Sequence, residues 1–199
     1  IVGGGPGGAA TEIHLAKKGI KSIIIEKDLF PRFHIGESMT GECGQSVRDL
    51  GLEAEMEKVP KTIKWGVTVY GQSGTGTFWL PVMKRNENGE LEKNFTWQVK
   101  RSEFDRIVLD KAVEMGSELL LGKATKVLQK EDGTVYGVEI RLENGDTETI
   151  EADVVVDASG QTTFLSTCGV AGKKHRGKYD RQLAIYSHVK GAKREEEDN

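Results

Sequence analysis

Ile1-Val2-Gly3-Gly4-Gly5-Pro6-Gly7-Gly8 opens the chain, and Glu26 stands eighteen residues after Gly8. Gly3, Gly5 and Gly8 fit G-x-G-x-x-G between a short apolar strand and a helix. Gly3 permits the tight turn, Gly5 lets a diphosphate approach bare backbone, and Gly8 lets helix and strand pack closely. The helix start, with Pro6 in its first turn, points unpaired N–H groups at that anion. A carboxylate closing the second strand, Glu26, can accept a hydrogen bond from a ribose 2′-hydroxyl and disfavours a 2′-phosphate. Glycine-rich turns are common, so the motif counts here because of what stands on both sides of it.

Working outward, residues 7–18 read as the helix. Ala9, Ala10, Ile13 and Ala16 form its packing face, and Glu12 and Lys17 face water. Lys17 and Lys18 complement the dipole of the last turn, and Gly19 stops it. Ile23-Ile24-Ile25 is an apolar β-branched run, as a parallel strand buried on both faces requires. A second helical stretch covers residues 39–52, with Val47, Leu50 and Leu52 inward. The period then changes to two: Ile63, Trp65, Val67 and Val69 alternate with polar or small neighbours, as do Phe95, Trp97 and Val99. These are strands covered on one side, joined through a polar loop or hairpin tip at residues 84–93.

Ser102 begins a third helix, with Asp105 three residues on as a weak capping box. Phe104, Ile107, Val108, Ala112 and Met115 recur at helical spacing before Gly116. Leu119-Leu120-Leu121 and Val154-Val155-Val156 read as further buried parallel strands. Between them, residues 127–142 and 147–150 form a β-meander turning at Asp132-Gly133 and Asn144-Gly145.

Composition excludes several classes. The net charge of −3 over 199 residues makes no electrostatic case for nucleic acid or an anionic membrane. No apolar run approaches the roughly 20 residues of a membrane span. Cys43 and Cys168 are far apart, as expected of reduced thiols in the cytoplasm. His14, His34, His175 and His188 lack metal-ligand spacing, so no metal is expected. The basic run Lys173-Lys174-His175-Arg176 and the acidic residues 195–199 read as solvated segments. Because Ile1 already lies inside a strand, residues are expected to precede it.

Three further motifs bear on which dinucleotide binds. Pro31-Arg32-Phe33-His34-Ile35-Gly36-Glu37-Ser38 follows the βαβ unit, Gln98-Val99-Lys100-Arg101-Ser102-Glu103-Phe104-Asp105 opens the third helix, and Asp157-Ala158-Ser159-Gly160 ends the last strand. In this order the chain resembles the flavoprotein family of aromatic hydroxylases, geranylgeranyl reductases and flavin-dependent halogenases. The R-x-x-x-G-E-S pattern from Arg32 to Ser38 looks most like the halogenases.

The resemblance implies an α/β fold: a glutathione-reductase-like (Rossmann-type) FAD-binding domain with an inserted antiparallel β layer. Residues 1–60 would hold the FAD-binding βαβ part and the following helix. Residues 61–100 would be the inserted layer, and 101–180 the rest of the domain with its meander. Residues 181–199 would begin a substrate-side strand in a chain that continues. The FAD contacts implied are Gly3, Gly5, Pro6, Gly8, Glu26, Lys27, Arg32, Ile35, Gly36, Glu37, Ser38, Arg101, Val127, Asp157, Ala158 and Gly160. Arg101 would meet the ribose–diphosphate, unless it pairs with Glu103 or Asp105 instead. Val127 would offer its backbone to adenine, unless it is a plain core valine.

A halogenase would take reduced FAD from a separate flavin reductase, with chloride or bromide as co-substrate, and act on a small electron-rich aromatic, free or carrier-bound. The second glycine turn lacks the following arginine of the hydroxylases, which agrees with a separate reductase. By spacing back from Trp65, Lys58 is the expected halogen-handling lysine, with Lys61 close behind. The tryptophan-rich W-x-W-x-I-P stretch of halogenases is not among these 199 residues. The alternatives are a flavin monooxygenase or isoprenoid reductase, and a non-catalytic prenyl- or protein-binding module.

Overall fold

The computed structural model describes residues 1–59, 61–72, 75–175, 177–178 and 183–191; Arg176 and the acidic tail lie outside them. In chain order the elements are α1 (Pro6–Ala16), β1 (Ile23–Glu26), α2 (Gly41–Asp49), α3 (Glu53–Met56), β2 (Lys61–Lys64), β3 (Gly66–Tyr70), β4 (Thr77–Pro81), β5 (Met83–Arg85), β6 (Leu91–Lys93) and β7 (Thr96–Val99). There follow α4 (Arg101–Glu114), β8 (Glu118–Leu121), β9 (Lys123–Gln129), β10 (Val135–Arg141), β11 (Thr147–Glu151) and the short α5 (Phe164–Thr167).

The parallel layer runs in the order Asp157, Val2, β1, β8. Val2 bridges both Ile25 and Asp157 in parallel, and β1 pairs with β8 from Ile23↔Glu118 to Glu26↔Leu121. Side-chain alternation along β1 then decides what covers each face. Ile24 joins Ala9 and Ile13 of α1 and Phe104, Val108 and Ala112 of α4 in one core. Ile25 joins Val2, Val127, Val138, Ile140 and Phe164 in a second core on the opposite face, under the meander β9–β10–β11. Ile13 and Ile24 are wholly buried, each contributing about 1.5–3 kcal/mol by transfer from water. The two meander turns close where the sequence places them: Lys130 N–H donates to Thr134 O at 2.9 Å, and Leu142 N–H to Asp146 O at 2.9 Å.

Residues 61–99 form three antiparallel ladders, β2–β7, β3–β4 and β5–β6. Trp65 separates β2 from β3, so the single long strand expected there is broken. The expectation of cover on one face also changes. Ile63, Trp65 and Val67 are exposed, as are Phe78 and Leu80 on β4. Trp97 alone of the three tryptophans is buried, with the Arg48 guanidinium 4.7 Å from its ring.

Three local expectations are corrected. Glu12 does not face water: it is 1% exposed and accepts a hydrogen bond from the Ser22 hydroxyl, and burial pushes its carboxyl above the ordinary range. Period alone placed it outside, but β1 and its approach run over that side of the helix. Ser102 is not a cap; α4 begins at Arg101 after Lys100, with no side-chain cap, and Asp105 turns to Arg101 instead. Val154 is 74% exposed, and Val154-Val155-Val156 joins the parallel sheet only at its end, where Val2 N–H donates to Val156 O at 2.8 Å. Those valines line an apolar cleft of about 630 Å³ with Ile1, Leu15, Ile20 and Ile150; among the described residues nothing packs into it.

Candidate dinucleotide-binding site

The glycine turn is built by close approach. Gly3 has φ +106°, and a Cβ there would stand 2.5 Å from the Ala158 carbonyl oxygen. A Cβ on Gly8 would overlap the Gly3 carbonyl oxygen. Only glycine satisfies both positions. Gly3 N–H donates to Ile25 O at 2.8 Å and Ala158 N–H to Val2 O at 2.9 Å, so the two glycine turns are stitched to one sheet edge. Gly5 caps α1 without a side chain, and Pro6 sits at the helix start. First-turn N–H groups therefore lack helical partners at a bare surface suited to an anion.

Glu26 is 3% exposed and turned into the turn. Its Oε2 accepts the Gly4 N–H at 2.7 Å and its Oε1 the Asp28 N–H at 2.8 Å. Each oxygen keeps a further lone pair for a ligand hydroxyl. Arg32 comes in from the following loop, its Nη2 3.6 Å from where a Gly5 Cβ would be. Its guanidinium lies 4.7 Å from the Phe30 ring centroid, and its Nε, 3.8 Å from the Asp28 carboxylate, has no hydrogen-bond partner among the described residues. A cation held over a bare glycine turn suits a diphosphate. Lys27 instead pairs with Asp28 at 3.3 Å and points to solvent.

The loop of residues 31–38 is held at its far end by β7. Val99 N–H donates to Glu37 O at 2.8 Å, Met39 N–H to Trp97 O at 3.1 Å, and Ser38 bridges Gln98. Gly36 has φ +110°. Arg101 Nη1 donates to Ile35 O at 2.8 Å while Nε and Nη2 bind the two Asp105 oxygens at 2.6 and 2.9 Å. The pairing with Asp105 that the sequence left open is therefore made, and it leaves two guanidinium N–H groups for other partners.

Asp157 faces its own loop. Burial opposes its ionisation, but hydrogen bonds from the Ser159 hydroxyl (2.6 Å) and the Leu165 (2.9 Å) and Ser159 (3.0 Å) N–H groups outweigh that and hold its carboxyl below the ordinary range. Ala158 is the part of this turn that touches Gly3 and Gly8, while Gly160, at φ +61°, is exposed. Val127 has its side chain in the second core. Lys58 is exposed, and its side chain makes no hydrogen bond or ion pair among the described residues. The sequence reading missed Lys64, whose Nζ donates to Ser38 Oγ at 2.9 Å and Met39 O at 3.0 Å. Its place directly before Trp65 was the available signal, but only the β2–β7 register shows which lysine reaches the loop.

The glycine cradle, the inward Glu26 and the unsatisfied Arg32 Nε together fit an adenine dinucleotide diphosphate such as FAD. Comparison with known proteins agrees. A family model described as FAD dependent oxidoreductase matches residues 1–197. The chain is 42% identical over 195 residues to a 1H-pyrrole-2-carbonyl-[peptidyl-carrier protein] brominase of Pseudoalteromonas luteoviolacea, covering 98% of this chain and 45% of that protein. It is 30% identical to the corresponding chlorinase of Pseudomonas fluorescens, covering 94% of this chain and 44% of that one. The solved structure of the flavin-dependent brominase Bmp2 superposes with a TM-score of 0.77 at 44% identity, over 87% of this chain and 40% of that one. The chain thus spans less than half the length of these relatives. A Rossmann-type sheet edge, a glycine cradle with its carboxylate, and a family match along nearly the whole sequence lead to one statement: this chain belongs to the family of FAD dependent oxidoreductases.

Proposed function

We propose that this chain is the FAD-binding part of a flavin-dependent halogenase that acts on an electron-rich aromatic, a pyrrole ring carried on a carrier protein. The observation that carries this reading is Lys64, whose ammonium meets Ser38 in the loop beside the glycine cradle, in a chain similar to the brominase and chlorinase. On this reading the fold is glutathione-reductase-like with residues 61–100 as an inserted layer. Residues 1–60 and 101–180 make the FAD domain, and 181–199 begin the substrate side. The protein works in the cytoplasm, where a separate flavin reductase supplies the reduced cofactor.

Bound FAD, once reduced, would supply the electrons that activate O2 so that chloride or bromide can be oxidised. The chain's own residues would bind and aim. Gly5 leaves its backbone bare to the diphosphate at the helix start set by Pro6, Gly3 and Gly8 shape that turn, and Arg32 is the counter-charge. Glu26 accepts from the adenosine ribose, and Ala158 seals the turn. Ile35, Gly36, Glu37 and Ser38 border the ring end, and Lys64 takes over from Lys58 as the lysine that receives and orients the oxidised halogen.

The test uses the full-length protein with FAD, a flavin reductase, O2 and bromide or chloride, on carrier-bound pyrrole and on free phenols, pyrroles and indoles. Mass spectrometry is expected to show the halogen isotope pattern. Lys64→Ala should lose about 10²-fold or more of that product, as a misaligned reacting group does, with FAD binding kept, while Lys58→Ala keeps activity. No halogenated product from any substrate, or NADPH oxidation by the protein alone, would overturn the reading.

A further inference from the structure

Asp105 is 0% exposed, and both of its oxygens are taken by one guanidinium, that of Arg101. It sits on the first turns of α4, where Phe104, Val108 and Leu109 are also buried, and its two bonds to Arg101 fix the carboxylate. The third side of Arg101 reaches across to the loop, where Nη1 donates to the Ile35 carbonyl at 2.8 Å. Gly36 leaves room for this: a Cβ there would stand 2.9 Å from Arg101 Nη1. Backbone bonds from β7 hold the loop at Glu37 and Met39, but at Ile35 the hold from outside the loop is this side chain. A buried ion pair is seldom better for stability than two apolar residues of the same size. What an apolar pair could not provide is an oriented donor to Ile35.

We propose that Asp105 is a positioning residue of the flavin site, acting through Arg101 on the backbone of Ile35 and Gly36. It does not touch the cofactor. It fixes the rotamer of Arg101, and Arg101 sets the turn that borders the ring end. The inference rests on the reading of residues 31–38 as the loop beside the bound flavin.

The experiment titrates FAD into the full-length protein by fluorescence quenching, for wild type, Asp105→Asn and the double variant Arg101→Met/Asp105→Leu. The double variant removes the pair without leaving a lone buried charge, and circular dichroism checks its fold. Both variants are expected to weaken FAD binding about tenfold and to return the visible flavin band toward that of free FAD. Amide hydrogen exchange at Gly36 and Glu37 should quicken while that of α4 stays slow. A folded double variant with wild-type affinity and spectrum overturns the proposal. So does a double variant that fails to fold, since the pair would then serve the helix. If Asp105→Asn does not fold, the double variant decides. If the wild type itself quenches no FAD, the flavin-site reading falls first; if it does and the variants match it, only the role of Asp105 falls.

Discussion

At the scale of single residues, the site depends on groups whose polar atoms are already committed before any ligand arrives. Glu26 is aimed by two backbone N–H groups and Asp157 by three donors. For Asp157 the consequence is a pH dependence of stability. Its folded value lies below the ordinary 3.8, so the fold favours the carboxylate. That contribution is complete above 3.8 and is lost as pH falls through the lower folded value. Asp157→Asn should therefore cost about 1 kcal/mol at neutral pH, and thermal melts of variant and wild type should converge as the pH drops below that range. A gap that stays constant down to strongly acid pH would show that the carboxylate charge is not what matters there. Two of the residues the sequence misjudged, Glu12 and Asp105, are buried carboxylates. Each reads as solvent-facing or capping because charge is usually outside, and each is inside with a partner: Glu12 with Ser22 of the run into β1, and Asp105 with Arg101 one turn earlier on the same helix.

Elements show the same division. Period-two runs located β2, β3 and β7 but not β4, β5 or β6, and the Asp-Gly and Asn-Gly pairs located the meander turns, because these signals are local. How Trp65 breaks the first run is not local. In the β3–β4 ladder Gly66 lies opposite Pro81, and a Cβ on Gly66 would overlap the Trp79 ring and stand 2.6 Å from Leu80 O. Gly66 is thus the floor on which Trp79 rests, two residues from Lys64. Gly66→Val should destabilise by about 1–3 kcal/mol through overpacking and change the tryptophan emission as the Trp79 ring is displaced. Unchanged emission and unfolding midpoint would show that the ladder yields at no cost.

For the whole molecule, the parallel layer and its two cores set a cradle at one end of the sheet, and the cofactor should act as part of the fold. FAD at about a hundred times its Kd is expected to stabilise the protein by about 2.7 kcal/mol, read as a rise in melting temperature that depends on FAD concentration. Gly8→Ala should abolish that rise, since its Cβ would overlap the Gly3 carbonyl; a variant that still gains stability from FAD would contradict the cradle described above. Among the described residues no helix is long and apolar enough to cross a membrane.

By itself the sequence determined that a glycine turn joins a strand to a helix, that a carboxylate closes the next strand, and that hairpins follow. Those are properties of neighbours along the chain, set by backbone freedom, periodicity and turn chemistry. Only the tertiary structure decided that Glu26 faces Gly4, that Lys64 rather than Lys58 meets Ser38, that Asp105 holds Arg101 against Ile35, and that Val154 stands in an open cleft. Each of these depends on which distant segments share a surface, and the energy of a buried charge or an oriented donor exists only once that surface has formed.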